Sequence, residues 1–164
     1  MRQPLPSNLS SLSAPQIVVR SLAEACTALD AAAACGCCVV LVSAPGVAGH
    51  VGAGWFIALV DAARRAVPGV CCAAIVDCAN AAGHAMAALR TGAPAIAIAD
   101  IGDAARARLD ALARRHGARL AEIDHAGALD LASQANGAAA CRAFLSRRKD
   151  TKTGGSIAKP PAVR

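Results

Sequence analysis

Apolar positions recur along this chain in two alternating modes. Short, nearly unbroken apolar runs fall at 17–20, 39–43, 71–76, 95–99 and 118–123. Between them lie longer stretches in which apolar residues return every three or four positions. An unbroken aliphatic run of four to six residues marks a strand covered on both faces, and the three-to-four recurrence marks a helix with one buried side.

The boundaries between the modes carry their own signals. Ser21-Leu22-Ala23-Glu24 is a capping box, in which the serine takes one orphan N–H of the helix start and the glutamate reaches back to another. The helix it opens places Leu22, Ala25, Cys26, Leu29, Ala32 and Ala33 on one face and stops at Gly36. After the run at 39–43 comes a glycine-rich loop, then a helix from about Trp55 that turns Phe56, Leu59, Val60 and Ala63 inward. Pro68-Gly69 ends it. A helix over 79–90 has Ala82, Ala85, Met86 and Leu89 as its stripe and closes at Thr91-Gly92. Asp103 is the expected N-cap of the next helix, where Arg106, Asp110 and Arg114 stand at ion-pair spacing, and Gly117 terminates it. A last helix is expected from 127 or 128 to about 147, broken or kinked at Asn136-Gly137. The run at 17–20 reads as an edge strand.

Up to five strand–helix units, spaced roughly 20 to 30 residues apart without a hairpin signal, imply parallel pairing through right-handed crossovers. The expected fold is α/β, an open three-layer (αβα), mostly parallel sheet of four to five strands, of flavodoxin-like or Rossmann-like type. The alternative is a partial β/α barrel, with too few units to close. Residues 16–145 form a single domain in this reading. A Ser- and Pro-rich segment, 1–15, precedes it, and a basic tail, 146–164, follows; both are expected to be disordered.

Composition narrows the chemistry. Of 164 residues 55 % are apolar but only 2 % are aromatic, namely Trp55, Phe56 and Phe144, which leaves little for stacking on nucleobases. The net charge of +6 is concentrated: six basic residues and one acid follow Ser146, against eleven and ten before it. A nearly neutral body argues against nucleic acid beyond weak contacts through the tail. No stretch of about 18 apolar residues is free of charge and turn signals, so no membrane span is expected. The first residues lack the apolar core of a secretory signal, which points to a cytoplasmic protein. The eight cysteines are accordingly read as reduced thiols that pack as small apolar groups, with no disulfide framework and no metal. Were the strands at 39–43 and 71–76 neighbours, Cys37 and Cys38 would approach Cys71 and Cys72 at their amino ends. A homo-oligomer is compatible with all of this.

Ligands of parallel α/β folds bind beyond the carboxyl ends of the strands, and polar residues gather there. His50, Asp77, Asp100 and His125 are the candidate catalytic residues: histidine exchanges a proton near neutral pH, and aspartates orient hydroxyls or hold a cation. Gly46, Gly49, Gly52 and Gly54 form a loop whose N–H groups could face an anion or a cofactor of unidentified type. The loop is neither a P-loop, since Trp55-Phe56 follow its last glycine, nor a dinucleotide fingerprint, since Ile57 occupies the third glycine position. Ser43 lacks the G-x-S-x-G elbow of a nucleophile. Asp77, closing the third run, is placed where a response-regulator receiver carries its acceptor aspartate. The likeness is topological: Arg20-Ser21 replace the paired acids, and Asp124-His125 replace the lysine. The expected function is binding of a small molecule or anion at the strand carboxyl ends, with no reaction specified. The alternative is a non-catalytic regulatory or interaction domain of receiver-like topology.

Overall fold

A computed structural model describes residue 12 and residues 14–153. Six strands form one parallel sheet: β1 (Gln16–Val19), β2 (Val39–Ser43), β3 (Cys72–Asp77), β4 (Ala95–Ala97), β5 (Arg119–Leu120) and β6 (Leu129–Asp130). The helices are α1 (Leu22–Cys35), the single turn α2 (Val47–His50), α3 (Ala53–Ala66), α4 (Ala82–Arg90), α5 (Asp103–Arg115) and α6 (Gly137–Thr153). The open parallel α/β sheet expected from the apolar runs is what forms, with one strand more than the expected five. Helix α6 carries the chain through Thr153, past the expected start of the tail at 146. The remainder of that tail, 154–164, and 1–11 of the leading segment lie outside the described residues.

The strand order is β5-β4-β3-β2-β1-β6. Each of β2 to β5 lies beside its predecessor on the same side, so right-handed crossovers bring the helices to one face. Buried residues of that face accordingly form a single cluster. Ile17, Leu41, Ala74 and Ile96 from the strands meet Leu29, Phe56, Leu89, Leu109 and Leu145 from the helices. Alanine fills much of the remainder, letting the helix backbones sit close to the sheet. The opposite face buries Val18, Val40, Val42, Ile75, Ala95 and Ala97, and is covered by Leu12, Ala14 and the segment carrying Ala121, Ile123 and Ala128. The sheet is thus the middle of three layers.

The covering segment is tied to the first residue of β1. The Gln16 side chain donates to the Glu122 carbonyl and accepts from the Asp124 N–H, each at 2.9 Å. In a flat sheet β5 would stand four strand spacings, about 19 Å, from β1. Glu122 lies two residues beyond β5, a reach of about 7 Å. The Gln16 side chain and the twist of the sheet cover the rest, as the segment after β5 crosses the helix-free face toward β1. Among the described residues β5 and β6 do not pair, so the sheet stays open.

Two sequence expectations are corrected. The strand at 16–19 is interior, with Ile17, Val18 and Val19 buried between β2 and β6, not an edge. The reason is β6 itself. Residues 129–130, expected to begin the last helix, pair with Ile17 and Val18 and pass into a 3-10 turn, Leu131–Ser133. The helix begins only at Gly137, where the Asn136 side chain accepts the Ala139 N–H. A smaller shift concerns α5, which has Gly102 as its N-cap and Asp103 as its first residue. Its Asp110 pairs with Arg114 at 2.7 Å, while Arg106 reaches Glu122.

The junction of β1 and β6 is closed by charge. Arg20, one residue past β1, makes a two-pronged hydrogen bond to Asp130, one prong at 2.8 Å. The hydrogen bond from Arg20 holds the Asp130 carboxyl below its usual range. Such a carboxylate contributes stability that is complete above its unfolded pKa and is lost as pH falls through the lowered value. Below about pH 4 the wild type should therefore lose melting temperature faster than Asp130→Asn, which has no proton to bind. Parallel acid profiles of the two proteins would refute a contribution from this pair.

Candidate functional site

The carboxyl ends of β2 and β3 are tied together by two side chains that each strand delivers at its last residue. Ser43 is buried, and its Oγ accepts the Asp77 N–H at 2.9 Å. Asp77 is 7 % exposed, and its Oδ1 accepts two backbone N–H groups, from Gly46 at 3.2 Å and from Ala79 at 2.7 Å. One carboxylate oxygen therefore fixes the loops that follow both strands. The second anchoring explains a strained backbone: Ala79 has φ 51°, in the left-handed region that side chains other than glycine seldom enter. Beyond the turn, the Ala79 carbonyl accepts the Ala99 N–H at 2.8 Å, which seats Asp100, also at φ 51°, on the same rim.

The glycine loop folds into a compact element. Gly46, at φ 66°, turns the chain into α2. Its N–H goes to Asp77, the Gly49 N–H to the Gly46 carbonyl at 2.9 Å, and the Gly52 N–H to the Val47 carbonyl at 3.1 Å. These three amides are thus engaged within the chain. Gly54 lies in the first turn of α3.

Two imidazoles lie against this loop. A β-carbon at Gly46 would stand 3.6 Å from Nε2 of His50, and one at Gly49 would collide with the His84 ring. Glycine at 49 is thus what allows His84 to rest on the loop backbone. Both histidines are exposed. Val51, at the end of α2, is 58 % exposed, and Trp55, in the first turn of α3, is 44 % exposed. No family model matches the chain, and no curated protein is similar to it.

Three of the four residues expected to carry chemistry, His50, Asp77 and Asp100, share this rim. His125 is elsewhere. It sits in the turn just before β6, where Asp124 accepts the Gly127 N–H and Arg148 reaches the Gly127 carbonyl at 2.9 Å. The turn is also tethered to Gln16, the first residue of β1, so it lies at the amino ends of the strands. The expected strand over 118–123 is ordered as strand only at Arg119–Leu120, and the chain has already turned back by Asp124. His84 takes the place His125 was expected to fill. It escaped notice because a helix starting at 79 would put it in the second turn; α4 starts at Ala82, which leaves His84 in the first turn, at the rim.

Among the described residues, no three His, Cys, Asp or Glu side chains gather in a way that could hold a metal ion. A groove of about 340 Å³ lies elsewhere, between α5 and β5, with Asp110, Arg114, Arg119 and Glu122 in its walls. Its charges are largely neutralised, since Arg114 pairs with Asp110.

Four of the eight cysteines, Cys37, Cys38, Cys71 and Cys72, stand at the amino ends of the same two strands. Cys38 and Cys71 are joined by a disulfide, with Cα atoms 4.6 Å apart. This corrects the expectation that every cysteine is a reduced thiol. The cause is register: Val39 faces Cys72 across β2 and β3, so the preceding residues, Cys38 and Cys71, face each other too. Cys72, Cys78 and Cys141 are buried thiols. Burial pushes all three up, Cys78 to about 12 and Cys141 to about 11, which keeps them unreactive.

Proposed function

We propose that this protein is a cytoplasmic α/β domain that binds a small, anionic metabolite at the carboxyl ends of β2 and β3. The observation that supports this reading is the meeting of His50 and of His84, from α4, against a loop that buried Asp77 anchors through the Gly46 N–H. The two imidazoles supply donors where the Gly46, Gly49 and Gly52 amides are already bonded. Asp100 stands on the same rim to take a ligand hydroxyl, and Trp55 is placed to report occupancy. A non-catalytic interaction domain, without the 2-1-3-4-5 strand order of a receiver, is the second reading, favoured by the exposed Val51 and Trp55.

Titrating a panel of phosphorylated and carboxylated metabolites against Trp55 fluorescence tests the proposal. A true ligand should bind at least about tenfold more weakly to His50→Ala and to His84→Ala, the loss of a charge-assisted hydrogen bond of about 1.5–3 kcal/mol. Both variants should melt with the wild type, since both side chains are exposed. A ligand that binds the variants with unchanged affinity would move the site away from this rim. Concentration-dependent self-association lost in Trp55→Ser, with no metabolite bound, would support the interaction domain instead.

A further inference from the structure

We propose that Cys38 and Cys71 are a reversible dithiol–disulfide couple, opened by a low-molecular-weight thiol and closed by the corresponding disulfide, that governs how firmly the unit from β2 to β3 is clamped. The inference does not depend on any ligand at the rim.

The β-ladder positions the two sulfurs independently of the bond between them. Cys38 and Cys71 are cross-strand neighbours at the entry of two central strands, and the Val39 N–H donates to the Cys71 carbonyl at 3.0 Å. Opening the bond therefore requires no backbone rearrangement, and after opening the thiols remain face to face. Closure is then an intramolecular step, favoured by proximity. Both residues are only partly buried, so a small thiol can reach them. The buried thiols of Cys72, Cys78 and Cys141 do not compete, because burial disfavours the thiolates through which exchange proceeds.

The exchange balances without a metal or a cofactor. A thiolate RS⁻ attacks one sulfur of the Cys38–Cys71 bond. That bond breaks, a mixed disulfide forms, and the other cysteine leaves as a thiolate and takes a proton. A second RS⁻ attacks the mixed disulfide, releasing RSSR and the remaining cysteine. The protein gains two electrons and two protons, and two RSH become one RSSR; closure is the reverse. In a reducing compartment such a pair is regulatory more often than structural.

The consequence reaches the rim because of what the bond encloses. It joins residues 33 positions apart, and β2, the glycine loop, α2 and α3 all lie between them. Opening removes that cross-link while leaving the hydrogen-bonded ladder, so β2 and β3 should open locally more often.

The test is an equilibration of the intact protein with graded ratios of reduced and oxidised glutathione. Free thiols are then trapped by alkylation and located by peptide mass. Cys38 and Cys71 should become alkylated together, reversibly, while Cys72, Cys78 and Cys141 stay protected. Amide exchange across Val39–Ser43 and Cys72–Asp77 should be about tenfold faster in the opened form. Cys38→Ala with Cys71→Ala should exchange at the fast rate whatever the glutathione ratio. If that variant does not fold, the titration of the unaltered protein still decides. Alkylation of Cys38 and Cys71 that persists at the most oxidising glutathione ratio would overturn the proposal. So would a bond that opens only in denaturant, or identical amide exchange in the two forms.

Discussion

Phe56→Ala should be among the most damaging single substitutions in this protein, costing about 3–5 kcal/mol and about 10–15 °C of melting temperature. Phe56 is the largest fully buried side chain among the described residues. It projects from α3 into the layer between helices and sheet, in a cluster that includes Ala25, Ala28, Ala32, Ala63 and Ala85. The cost of a cavity depends on how far the surroundings collapse into it, and alanine has no side-chain torsion with which to fill a gap. An alanine-rich core is thus rigid towards loss of its one large ring. Phe56→Leu, which keeps most of the volume, should lose far less. Urea unfolding of the three proteins measures this. A loss of under about 1 kcal/mol for Phe56→Ala would mean that the helix layer moves as a whole to close the hole.

Removing the cross-link should be nearly as costly to global stability. With its ends 33 positions apart, the Cys38–Cys71 bond restricts the unfolded chain by about 3.5–4 kcal/mol in the loop-entropy account. Cys38→Ser with Cys71→Ser should therefore melt roughly 10 °C lower than the oxidised wild type. The difference should vanish against the reduced wild type, because both chains then lack the same constraint. A double variant as stable as the oxidised protein would show that β2 and β3 are already held together as firmly without the bond. A double variant less stable than the reduced protein would point instead to lost packing at the Cys38 and Cys71 side chains.

Elements set by local interactions were legible in the chain. The β2 run at 39–43, the inward face of α3, the Ser21–Glu24 cap and the helix stops at Gly36, Pro68-Gly69 and Gly117 all follow from apolar period, capping and turn chemistry. These signals act within a few residues, so the sequence carries them explicitly. So was the parallel sheet, because five apolar runs separated by helices leave the strands no other pairing. The neighbourhood of β2 and β3, stated as a condition on where Cys38 and Cys71 would meet, holds as well.

What depends on distant partners was not legible. Residues 129–130 become strand because the free side of β1 needs hydrogen-bond partners and Leu129 and Asp130 arrive there; alone, the stretch reads as the start of a helix. Its arrival turns β1 from an edge into an interior strand. The segment after β5 turns back and bonds to the Gln16 side chain, which carries His125 to the amino ends, away from the rim where strand order alone would put it. The glycine loop is rigid because Asp77, 31 residues on, takes the Gly46 N–H. Local pattern decides what each segment can be; here the sheet, by satisfying its edges and burying its helix-free face, decided which of those segments meet.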